Sequence, residues 1–136
     1  MSTIKVTNIQ DTSGENSSTS EQIFQGRAKA WVCMEAFGTV AIEDDFNVSS
    51  ITDESTGHFV INFSTSLSNT NYAVIASATN YTNDDTIAGV GVDASTAYTN
   101  STGGVDLKST SQVRIGCAGG STAYDAYELY AVVFGD

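Results

Sequence analysis

The residue types that could do chemistry are few. His58 is the only histidine in the 136-residue chain, so a Ser-His-Asp arrangement would have to run through it. It stands beside Gly57 at the head of an alternating apolar segment, where a structural histidine is the commoner occupant. Cys33 and Cys117 lie far apart in sequence, and with His58 they show none of the close ligand pairs that structural zinc uses. Both read as small apolar residues of strands, and no disulfide is expected. The acidic pairs Asp44-Asp45, Asp53-Glu54 and Asp84-Asp85 could supply hydrolase carboxylates or hold a divalent cation. Adjacent acids on a strand point to opposite faces, however, and the alternating spacing of a calcium loop is missing. Solvated charge in turns is the expectation, with no catalytic residue, no metal and no cofactor.

Tyrosines are the remaining candidates. Tyr81 and Tyr98 fall in the polar span "TNYTNDDTIAGVGVDASTAYTNSTGG", and Tyr124 follows "CAGGST" with Tyr127 close by. A tyrosine ring among Asn, Asp and Gly stacks on a sugar or a protein surface while the amides and carboxylates bond to hydroxyls. Tyr81, Tyr98 and Tyr124 are therefore the expected ligand contacts.

Charge narrows the partners. The formal net charge is −11, and between Lys29 and Lys108 the chain carries many acids and no Lys or Arg. Phosphate neutralisation needs clustered bases, so nucleic acid is excluded as a partner, and adsorption to an anionic membrane with it. No run is long and apolar enough to span a bilayer. The start "MSTIKVTNIQ" lacks an apolar core flanked by positive charge, so no secretory leader is expected.

The elements that must position these residues are strands. Proline is absent, 40% of residues are hydrophobic, and Gly, Ser, Thr and Asn fill the gaps between short alternating segments. Ala30, Val32 and Met34 alternate with Trp31, Cys33 and Glu35; Phe59, Ile61 and Phe63 share one face. Further strands are expected at Tyr72 to Ala78, Ile87 to Val92, Gly104 to Leu107, Gln112 to Cys117 and Tyr127 to Phe134, and Gly57 is placed to turn a hairpin. Trp31, with Phe59, Ile61 and Phe63, is expected in the core or at a subunit interface. One short helix is expected near Thr19 to Gln25, opened by a capping box from Ser18 to Glu21 and stopped at Gly26. The fold class is thus all-β: an antiparallel sandwich or jelly roll over residues 27–136, preceded by an arm and helix over residues 1–26.

"GRAKAWV", "GTVAI", "FNVSSITD", "STGHFVINFS", "VRIGCAGG" and the closing "YAVVFGD" together resemble a small β-rich domain that recurs in virion structural proteins of tailed phages, particularly tail-fibre-like proteins of phages that infect marine bacteria. The opening "STIKVTNIQ" resembles the start of the same kind of protein. The resemblance implies a non-enzymatic virion component made in the bacterial cytoplasm and usually homotrimeric. It leaves two roles: a tail-fibre or receptor-binding component whose loops meet a host-surface glycan or receptor, or a capsid or tail decoration protein with a purely structural part. A glycan depolymerase is a third class, disfavoured because the carboxylates sit in turns. The arm is expected to join other virion proteins.

Overall fold

The computed structural model describes residues 2–14, 17–79, 89–92, 108–119 and 122–135. Its first elements form an arm: β1 (Asn8–Gln10) pairs antiparallel with β2 (Ser17–Thr19), and helix α1 (Ser20–Gly26) follows. The capping box falls one residue later than the sequence suggested. Thr19 Oγ1 accepts the Gln22 N–H at 3.1 Å, and Gln22 Oε1 accepts the Thr19 N–H at 2.9 Å. Thr19 is the last residue before the helix opens at Ser20, so Gln22 and not Glu21 stands at the third helical position. Every residue of β1, β2 and α1 is exposed.

The rest is antiparallel sheet. The strands are β3 (Ala28–Glu35), β4 (Ala41–Phe46), β5 (Val48–Ser55), β6 (His58–Phe63), β7 (Ala73–Ala78), β8 (Gly89–Val92), β9 (Gln112–Gly119), β10 (Thr122–Ala123) and β11 (Glu128–Phe134). One sheet runs β4-β3-β11-β7; the other runs β10-β9-β6-β5, with β8 also on β9. The expected strand at Gly104 to Leu107 lies outside the described residues.

The two sheets close on one core, as in a sandwich. Ala30, Val32, Met34, Leu129, Ala131 and Val133 come from the first sheet, and Phe59, Ile61, Phe63, Val113, Ile115 and Cys117 from the second. Alternation decides which side chains enter: Trp31, Cys33 and Glu35 of β3 face outward while Ala30, Val32 and Met34 are at most 2% exposed. Phe59, Ile61 and Phe63 are buried as the pattern implied. Trp31 is not in this core. It is half-buried on the outer face of β3, and the intramolecular place expected for it is filled by Ala30 and Val32.

Two corners fix the layout. Asn47, with φ 59°, turns the chain from β4 in one sheet to β5 in the other. Its Nδ2 donates to the carbonyls of Lys29 and Thr65 at 3.0 and 3.1 Å, and its Oδ1 accepts the Thr65 N–H at 2.7 Å. Asparagine tolerates this left-handed conformation better than other non-glycine residues. At the β5–β6 turn, Gly57 has φ 72° and is packed so tightly that an added Cβ would lie 2.5 Å from the Cys117 carbonyl oxygen.

Candidate functional site

The outer face of the β4-β3-β11-β7 sheet is built in rows by the strand register. Phe46 pairs with Trp31, Trp31 with Val132, and Val132 with Ile75, so one apolar row crosses all four strands. Phe46 is 49% and Ile75 64% exposed. The row beside it, toward the arm, is Ala28, Phe134 and Ala73. Toward the other end the face turns polar with Asp44, Cys33, Tyr130 and Ser77, then acidic with Glu35 paired to Glu128. A β-bulge in the β3–β4 pairing makes room for the extra residue Glu43, which leans onto the same face.

This polar end is an open cleft of about 470 Å³ lined by Glu35, Glu43, Thr79, Tyr127 and Glu128. Cys33 Sγ donates to Glu43 Oε2 at 3.4 Å. Burial in the sheet, and then the Glu43 carboxylate, hold the Cys33 thiol above its ordinary value, so it stays protonated and is a poor nucleophile. The Tyr130 hydroxyl donates to Glu128 Oε2, which, with burial, pushes its pKa up to about 12. Thr79 and Glu128 exchange two hydrogen bonds of 2.9 Å, one through each backbone N–H, which ties the end of β7 to the start of β11. Among the described residues, no group of three or more His, Cys, Asp or Glu is placed to hold a metal ion.

Aromatic side chains rim this end. Phe37 and Tyr127 stack at 5.6 Å with their planes tilted by 52°. Tyr124, 44% exposed, sits where Asp125 Oδ1 accepts the Gly57 N–H at 2.7 Å and the Tyr124 N–H donates to the Cys117 carbonyl at 3.0 Å. These bonds pin the tyrosine-bearing segment 124–127 onto the Gly57 turn. Tyr81 and Tyr98 lie outside the described residues, so of the three expected contact tyrosines Tyr124 is the one placed.

The other chemical candidates are dispersed. His58 Nδ1 lies 2.8 Å from the Thr56 carbonyl and 3.3 Å from Ser55 Oγ, within its own turn. Glu54 is ion-paired with Arg114, and Asp45 Oδ1 accepts the Val48 N–H at 3.2 Å near the Asn47 corner. Asp84 and Asp85 are outside the described residues. Cys117 is buried in the core and Cys33 is half-buried on the outer face; both thiols are free, and only Cys117 behaves as the small core residue expected.

Sequence reasoning did not find Phe37, Glu35, Glu43 and Glu128 as neighbours. The signal that joins them is cross-strand register, which period-two alternation does not carry. Comparison with protein-family models, curated proteins and solved structures finds no match to this chain.

Proposed function

We propose that this chain is a structural component of a tailed-phage virion, of the tail-fibre or receptor-binding type, which works by binding and catalyses nothing. It assembles in the host cytoplasm as a homotrimer, holds the particle through its N-terminal arm and meets a host-surface glycan or receptor with its far loops. The observation that carries this reading is the polarity of β3. The arm enters at Ala28, and the acidic cleft opens at Glu35, with Tyr127 in its lining and Phe37 packed on Tyr127. Eight residues of strand separate the two ends by about 23 Å at 3.3 Å per residue.

Arm and loop end also differ in kind. The arm exposes Ile4 and Val6 ahead of a two-stranded ribbon, Ile9 on the ribbon, and Ile23 and Phe24 on a short helix, a combination that gains little stability on its own and favours docking to protein. The loop end offers tyrosine rings beside carboxylates, the chemistry that stacks on sugars and accepts from their hydroxyls. β7 and Thr79 end on this same side, two residues before Tyr81 in sequence, whereas Tyr98 follows β8. Decoration of the capsid or tail without recognition is the second reading, favoured by the exposed apolar arm alone.

Particles carrying Tyr81→Ser, Tyr98→Ser and Tyr124→Ser separate the two. The recognition reading expects normal assembly and at least about a tenfold loss of adsorption, because avidity over three copies magnifies each weakened contact. Unchanged adsorption by intact particles sinks recognition and leaves decoration.

A further inference from the structure

We infer that the outer face of the β4-β3-β11-β7 sheet is where copies of this chain meet, with Phe46 and Trp31 of one copy packed against Val132 and Ile75 of the next. The inference rests on the proposed homo-oligomer and assigns its contact. The row runs from bulky aromatic at the β4 edge to smaller aliphatic at the β7 edge. A surface graded in that way complements itself, since the large half of one copy fills the space left by the small half of another. Around a threefold axis along the strands, each copy gives its β4 edge to one neighbour and its β7 edge to the other. Phe46 then meets Ile75 at each corner, and Trp31 and Val132 fill the middle.

Charge selects the occupant. At a net charge of −11 two copies repel, and they can approach only where the facing surface carries no charge. The apolar row and the adjoining Ala28, Phe134 and Ala73 are such a surface. The carboxylates of the same face begin at Asp44 and end at Glu35 and Glu128. Asp44, paired with Cys33, stands about 7 Å along the strand from Trp31, at the edge of the Debye length of about 8 Å at physiological salt, while Glu35 and Glu128, four residues on at about 13 Å, lie beyond it. A cationic partner would be drawn to the cleft and leave the row uncovered. A sugar would find no acceptor there, and one donor at most, the Trp31 indole N–H.

A paired-cysteine variant reads the contact directly. Phe46→Cys and Ile75→Cys are combined with Cys33→Ser, which removes the other thiol on this face; Cys117 stays buried. Within one chain the two new cysteines lie on opposite edge strands, three strand spacings or about 14 Å apart, too far to bridge. Oxidation of the assembled protein is expected to give covalent multimers up to the closed oligomer on a denaturing gel. Only monomers would overturn the assignment.

Ile75→Asp is the second arm. Ile75 is 64% exposed, so the fold is expected to persist by circular dichroism while light scattering shows dissociation to monomers. An oligomer that forms normally in Ile75→Asp and yields no cross-link in the paired variant overturns this face but leaves the trimer standing. Wild-type protein that stays monomeric at micromolar concentration and above overturns both.

Discussion

Replacing Gly57 by alanine sets a methyl group against three backbone atoms at once: Cys117 O at 2.5 Å, Tyr124 N at 2.8 Å and Tyr124 O at 2.9 Å. None of these can yield without breaking the bonds that tie the 124–127 segment to the turn. The positive φ adds about 1 to 2 kcal/mol for any L side chain, and the clash raises the total to about 3 to 4 kcal/mol. Denaturant unfolding of Gly57→Ala should show that loss, and local proteolysis should quicken at the Tyr124 segment. Tyr72 gives a different signature. Its ring is buried, its hydroxyl hydrogen-bonds the carbonyls of Ser109 and Gln112 at 3.0 and 2.9 Å, and burial pushes its pKa up to about 12. The unfolded chain ionises this phenol near pH 10, before the folded chain does, so U binds fewer protons between about pH 10 and 12 and stability falls as pH rises through that window. Below pH 10 the contribution is complete. Tyr72→Phe should flatten the decline, measured as unfolding midpoint against pH, while Tyr130 keeps its own share.

At the scale of elements, the arm is the separable part. None of its residues belongs to the core, and Lys29 of the sandwich holds it: the Lys29 Nζ bonds the Phe24 carbonyl at 2.9 Å and sits 3.0 Å over the Phe24 ring. That ammonium lies at the C-terminal end of α1, where a helix favours positive charge and where its own last turn supplies none. Removing residues 1–26 should leave a folded sandwich, destabilised by less than about 1 kcal/mol from the lost Lys29 bond. A molten or aggregated product, read by near-ultraviolet dichroism, would show that the arm is part of the fold. The strands were legible because alternation is a local signal, and β6 with its Gly57 turn is the clearest case. The capping box falls one residue later because β2 runs through Thr19 and the helix opens only at Ser20, which puts Gln22 at the third helical position. Trp31 is expected in the core or at a subunit interface, and of these the core is filled by Ala30, because alternation gives two faces and does not say which is inside. The outer-face rows were invisible for a related reason, since register between β4, β3, β11 and β7 joins residues as far apart in sequence as Phe46 and Val132.

For the whole molecule, charge and assembly are coupled. Copies that meet through the apolar row, as proposed, would bring their Glu35, Glu43 and Glu128 ends to one level, where like charges oppose association. Screening relieves this: the Debye length shrinks from about 30 Å at 0.01 M to about 3 Å at 1 M salt. Association measured by sedimentation should therefore tighten by about tenfold or more over that range. An oligomer that weakens with salt would mean that ion pairs, and not the apolar row, hold it together.

The antiparallel pairing of β3 with β11 has a mechanical side. A particle held by the arm and a host held by the far loops would pull on Ala28 at one end of β3 and on Glu128 at the opposite end of β11. The load then passes along the ladder as shear. Its pairs, from Glu128 with Glu35 to Phe134 with Ala28, share the force together instead of opening one after another. Two central strands flanked by β4 and β7 carry it, so under the proposed function the sheet that seats Tyr127 would also be the tether through which adsorption is felt by the particle.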